Sequence, residues 1–202
     1  MALTLEQGTR VVRLARAAVE ESVLKGTAGS VPSTSDFLSE KRGVFVTLNL
    51  MGAGEEKLRG CIGFPYPVKA LGEATVDAAV AAALDDPRFN PVGKDELANI
   101  VVEVSVLTPP ETISVGPRAE LPSKLRIGRD GLMVSTRYTS GLLLPQVATE
   151  YGMAPDEFLC QTCLKAGLPP DAWLSEDTVV QRFQAEIFAE DTPNGAVAKR
   201  QE

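Results

Sequence analysis

Arg59, Gly60 and Cys61 stand side by side in the run Lys57-Leu58-Arg59-Gly60-Cys61-Ile62-Gly63. A thiol becomes a strong nucleophile when it loses its proton, and a fixed cation beside it favours that loss. Open glycine amides can in turn hold an anionic group. Cys61 as nucleophile or redox-labile thiol, Arg59 as its charge partner, and Gly60 and Gly63 as ligand-facing glycines thus fit a site for a carboxylate, phosphate or oxyanion. The alternative is a hairpin whose cysteine is a small buried hydrophobe and whose glycines only allow close packing. Two other segments carry polar groups that can join such a site. Asp86 and Arg88 lie on the irregular stretch Asp85-Asp86-Pro87-Arg88-Phe89, and loops on a rigid scaffold often hold ligands. Glu103 and Ser105 alternate with valines in Ile100 to Leu107, where an isolated carboxylate wants a partner. Glu103 or Asp86 would serve as general base if its surroundings raised its pKa.

The composition removes several chemistries. The chain of 202 residues has no histidine, so no Ser-His-Asp triad, Cys-His dyad or His-ligated zinc can form. Three cysteines cannot make a four-thiolate zinc site, and Cys160 and Cys163 sit inside an expected helix rather than at its start, so they read as core-facing residues and no metal is expected. A net charge of −7 argues against nonspecific binding to nucleic acid, although a local basic pocket is compatible with it. No apolar run approaches the roughly 20 residues of a membrane span, and the first residues lack the pattern of a signal peptide; a cytoplasmic protein is expected. No phosphate loop or dinucleotide glycine fingerprint points to a cofactor.

These residues need elements to hold them. Thr4 with Gln7 forms a capping-box pattern, and apolar residues at helical spacing run from there to Gly26. A Gly/Ser/Pro-containing loop follows. Gly43 to Met51 alternates as a half-buried strand, residues 52–56 read as a turn, and Lys57 to Gly63 returns as its hairpin partner. Alternation places Leu58, Gly60 and Ile62 on one face and Arg59 and Cys61 on the other. An Ala-rich helix is expected from Val68 to Leu84, a short helical turn at Lys94 to Ala98, and a strand from Ile100 to Leu107. Asp130-Gly131 suggests a tight turn between two strands. Gly141 to Leu144 reads as a strand, Pro145 to Tyr151 and Pro155 to Gly167 as helices, Val179 to Ala189 as one long strand, and residues 191–202 as a frayed polar tail. Elements grouped in this way indicate an α+β fold with a mostly antiparallel sheet.

In order along the chain, LRGCIGF, LDDPRFNPV, ELANIVVEVSVLTPPE, GRDGLMV, LLLPQVATEYG and FLCQTCLKAGLPPDAW resemble the AMMECR-one domain family over residues 5–190. The resemblance implies one domain over residues 1–190, with two lobes, a barrel-like antiparallel sheet and flanking helices, and with the hexapeptide Leu58 to Gly63 beside a cleft. Carried over motif by motif, it marks Arg59, Gly60, Cys61, Gly63, Asp86, Arg88, Glu103 and Ser105. It also implies association with Memo-type and radical SAM proteins, while fixing no reaction for the family as a whole.

Overall fold

The computed structural model describes residues 2–27, 36–52 and 55–200, and the chain divides into two compact units. The first comprises the residues up to Leu107 together with those from Glu186 onward, and the second runs from Thr108 to Ala185.

The first unit is a five-stranded sheet with two helices. Its strands are β1 (Val44–Gly52), β2 (Glu55–Phe64), β3 (Ile100–Leu107), β8 (Ala185–Glu190) and β9 (Val197–Arg200), in the order β2-β1-β3-β8-β9. The helices are α1 (Leu5–Lys25) and α2 (Leu71–Leu84). Thr4 caps α1 through the reciprocal box with Gln7, and Gly26 ends it in the left-handed region at φ 69°. The expected helix is therefore present at both ends. Val44, Val46 and Leu48 of β1 are fully buried against α2, while Phe45, Thr47 and Asn49 on the other face are half-buried, as their alternation requires. The Ala-rich helix starts at Leu71, three residues later than its composition suggests.

Small residues let α2 lie close to the sheet. A Cβ on Gly60 would fall 2.1 Å from the carbonyl oxygen of Ala82, a backbone atom of α2. Gly60→Ala is expected to cost about 1–3 kcal/mol through overpacking, because neither strand nor helix can yield locally. A urea titration comparing midpoints measures it; an unchanged midpoint would contradict this packing.

The second unit holds a four-stranded sheet in the order β4-β7-β5-β6, formed by β4 (Glu111–Thr112), β5 (Gly131–Ser135), β6 (Ser140–Leu143) and β7 (Val179–Phe183). Helices α3 (Pro145–Glu150) and α4 (Pro155–Lys165) follow β6, each opened by its proline. A separate core of Leu121, Leu132, Val134, Phe158, Leu159, Cys163 and Val180 holds this unit, with Cys160 packed at its margin. The Cys160/Cys163 pair is thus core-facing, and no group of metal-ligating residues occurs among the described residues.

Four expectations are corrected. Both sheets are open rather than barrel-like, ending at β2 and β9 in one and at β4 and β6 in the other. The long late strand is two strands in different sheets, because at Gln184 the chain leaves β7 with reciprocal hydrogen bonds to Thr108. Periodicity continues across that break and so conceals it. The frayed tail is instead β9, turned back by Asn194 at φ 59° and closed by Asp191 N–H donating to the Ala196 carbonyl. Only one strand adjoins Asp130-Gly131, since the residues before it form a turn in which Gly128 takes φ 80°. The Gly/Ser/Pro-containing loop at 28–35 and positions 53–54 of the expected hairpin turn lie outside the described residues. Among the described residues no helix is long and apolar enough to cross a membrane.

Candidate functional site

The hexapeptide lies on β2, an edge strand paired with β1. Its register runs Val46 to Ile62, Thr47 to Cys61 and Leu48 to Gly60, then shifts so that Asn49 meets Leu58. Arg59 is the extra residue of a β-bulge and has no partner on β1. This corrects the simple alternation, moving Leu58 to the face that carries Cys61 and freeing Arg59 to turn aside.

Arg59 is committed to the loop after α2. It donates from Nε and Nη2 to the two oxygens of Glu96, at 2.7 and 3.0 Å, and from Nη1 and Nη2 to the carbonyls of Asn90 and Pro91. Each partner holds the other charged: hydrogen bonding to Glu96 raises the Arg59 pKa, and hydrogen bonding to Arg59 lowers that of Glu96. A bidentate carboxylate leaves this guanidinium little capacity for a ligand.

The cation at Cys61 is Arg88. Its Nη2 donates to the Cys61 carbonyl at 3.3 Å, and the Cys61 side chain is among the groups that raise its pKa, after the hydrogen bond to Asp86 as the first cause. Asp86 fixes this geometry. Its Oδ1 accepts the Arg88 N–H and Nε, and its Oδ2 accepts Arg88 Nη2 at 2.7 Å and the Cys61 N–H at 2.8 Å. The side chain is nearly fully buried, and its hydrogen bonds, led by Arg88, hold the carboxyl far below the usual range. Asp86 is consequently held as the carboxylate that positions Arg88 and the Cys61 amide, and its pKa moves down, opposite to the rise that the role of general base required. Arg88 is half exposed, packs on the Phe89 ring at 5.4 Å, and among the described residues has no partner at Nη1.

The glycines of the motif serve packing. Gly60 faces Ala82, a Cβ on Gly63 would strike the Phe45 ring at 2.3 Å, and the Cys61 amide between them is taken by Asp86. They do not form an open cradle for an anion.

On the sheet face turned away from α2, one row crosses three strands. Cys61 on β2 is paired with Thr47 on β1, which is paired with Glu103 on β3. The Thr47 hydroxyl donates to the Cys61 Sγ at 3.3 Å. Burial raises the Glu103 pKa, against the opposing pull of Arg200, whose Nη1 lies 3.4 Å away. Arg200 also grips Glu56 at 2.8 Å, so the partner that Glu103 required comes from β9, in the segment read as a tail. Ser105 lies on the same face as Glu103, buried and paired with Phe45. Cys61 is half-buried.

Of the expected residues, the fold brings together Cys61, Asp86 and Arg88, with Glu103 across the sheet from Cys61; Arg59 shares the Phe89 ring with Arg88, at 5.8 Å from its centroid, but is ion-paired with Glu96. The fold adds Thr47, Phe89, Glu96 and Arg200. Thr47 was legible as a polar residue on the outward face of β1, and Phe89 as the neighbour of Arg88. No local signal marked Glu96 or Arg200.

The family model described as AMMECR1 matches residues 12–188. The chain is 56% identical to a protein of Thermococcus onnurineus, the alignment covering 96% of both, and 50% identical to protein MJ0810 of Methanocaldococcus jannaschii over 98% of this chain and 97% of that one. A solved structure, that of uncharacterized protein PH0010 from Pyrococcus horikoshii, is 53% identical and superposes with a TM-score of 0.79 over 98% of both chains. On the family match and on relatives of this identity and coverage, the chain belongs to the AMMECR1 family.

Proposed function

We propose that this protein is a thiol-dependent enzyme acting on a small anionic substrate, with Cys61 as the nucleophile and Arg88, rather than Arg59, as the substrate-orienting cation. The observation that carries this reading is the Cys61-Thr47-Glu103 row with Arg88 clamped beside its first member. The Thr47 hydroxyl spends its one proton on the Cys61 Sγ in this arrangement, so a relay to Glu103 requires the hydroxyl to rotate, accepting from the thiol and donating towards Glu103. Cys61 and Glu103 are two strand spacings apart, roughly 10 Å, so a proton passes between them only through Thr47, water or the substrate. A carboxyl raised by burial suits the base, whereas a carboxylate as acidic as Asp86 does not.

Alkylation kinetics test the reading without a known substrate. Cys61 is expected to react at least about fivefold faster with iodoacetate than Arg88→Gln does, while iodoacetamide distinguishes the two proteins little; one charge contact of about 1 kcal/mol supplies that factor. Glu103→Gln is expected to slow both reagents. Equal iodoacetate rates with and without Arg88, or labelling of Cys61 no faster than that of an unstructured thiol, would remove this function.

The second reading, a noncatalytic anion-binding module, draws on the unfilled Nη1 of Arg88. In that case Arg88→Ala abolishes ligand binding and Cys61→Ser leaves it intact.

A further inference from the structure

The second unit holds a basic cavity of about 370 Å³, lined by Ser123, Lys124, Arg126, Arg129, Asp130, Arg182 and Gln184. We infer that it binds a small organic phosphate monoester. The inference is independent of the thiol site.

The charges are not balanced within the protein. Asp130 is buried and spent on the loop itself: its Oδ2 accepts the Arg126 N–H at 2.9 Å and its Oδ1 accepts Gln184 Nε2 at 3.2 Å. Arg182 donates to the Lys124 carbonyl and approaches the Glu111 carboxylate at 3.7 Å. The side chains of Lys124, Arg126 and Arg129 have no ion-pair partner among the described residues and are exposed. Four cationic side chains against two carboxylates leave a surplus of two positive charges, in a chain whose net charge is −7.

Such a cluster works against folding, since like charges held together repel, so its reason lies in a ligand. A surplus of two matches a phosphate monoester dianion, and arginine presents paired N–H groups that fit phosphate oxygens. The volume falls within the roughly 300–1,000 Å³ of small-molecule sites and leaves room for an organic body beyond the phosphate itself. The loop that carries Arg126 and Arg129 is pre-shaped by Asp130 and by the left-handed Gly128, so little ordering remains for binding to impose.

Calorimetric titration of the full chain at low salt with glycerol 3-phosphate, inorganic phosphate and glycerol tests this. Glycerol 3-phosphate is expected to bind saturably and more tightly than inorganic phosphate, with no heat from glycerol. The Arg126→Ala/Arg129→Ala variant should keep its thermal midpoint, because it removes two exposed unpaired cations, and should bind at least tenfold more weakly. Arg88→Gln, which removes the cation beside the thiol, should bind glycerol 3-phosphate like the wild type, and loss of binding there would place the ligand at the thiol site instead. Inorganic phosphate binding as tightly as the ester would overturn the organic-ligand assignment. Absence of saturable binding, or retention of affinity by the double variant, would overturn the site.

Discussion

Glu190→Ala is expected to destabilise the protein by about 3–5 kcal/mol, the range for breaking a buried ion pair by removing one partner. Glu190, on β8, is completely buried and holds two arginines of α1. Its Oε1 accepts from Arg13 Nη1 at 2.9 Å and from Arg16 Nε at 3.0 Å, while its Oε2 accepts from Arg16 Nη2 and from the Val102 N–H of β3. Arg16 is itself buried and also donates to the Ile100 carbonyl. The carboxylate therefore joins the first helix to two strands of the sheet. Without it, a buried guanidinium and a backbone amide lose their acceptor, and water has little access to replace it. In a chain of 202 residues the thermal midpoint should fall on the order of 10 °C. A calorimetric scan showing a fall of only one or two degrees would mean that the pair contributes far less than its burial implies.

Asp86→Ala has the second large effect, on stability and on the site together. The substitution strips the Cys61 and Arg88 amides of their acceptor and releases the Arg88 guanidinium, for a loss of roughly 2–4 kcal/mol. It also frees the cation that faces the thiol. Iodoacetate labelling of Cys61 should then lose its dependence on Arg88, even at temperatures where the variant is folded. The pH dependence has a definite sign. The folded-state pKa of Asp86 is depressed, so its contribution is present above the ordinary Asp value of about 3.9 and is lost as pH falls towards the folded-state value. Asp86→Asn should flatten the acid limb of the stability profile below about pH 4. If both proteins lose stability in parallel there, Asp86 is not the carboxyl responsible.

Much of the scaffold was legible because its causes are local. Thr4, Gln7 and Gly26 bound the first helix through contacts within one or two turns, and Pro145 and Pro155 open their helices by their own fixed φ. Alternation in Ile100 to Leu107 gave that strand its observed bounds. The failures share a different cause. The bulge at Arg59, the break at Gln184 and the pairing of β9 are each set by a partner distant in sequence, and a period-two pattern looks the same with or without them.

The site divides in the same way. The sequence alone supplied the reactive types and grouped them: the thiol of Cys61, the loop pair of Asp86 and Arg88, the carboxyl of Glu103, and the absence of any imidazole. The tertiary structure set Arg88 against the Cys61 carbonyl, tied Arg59 to Glu96, and moved the carboxyl pKa values of Glu103 and Asp86 in opposite directions. Arg59 meets Glu96 across 37 positions and Asp86 meets the Cys61 amide across 25. A carboxyl's acidity follows from burial and from its hydrogen-bond donors, and those are properties of the neighbours the fold brings to it, not of its own place in the chain.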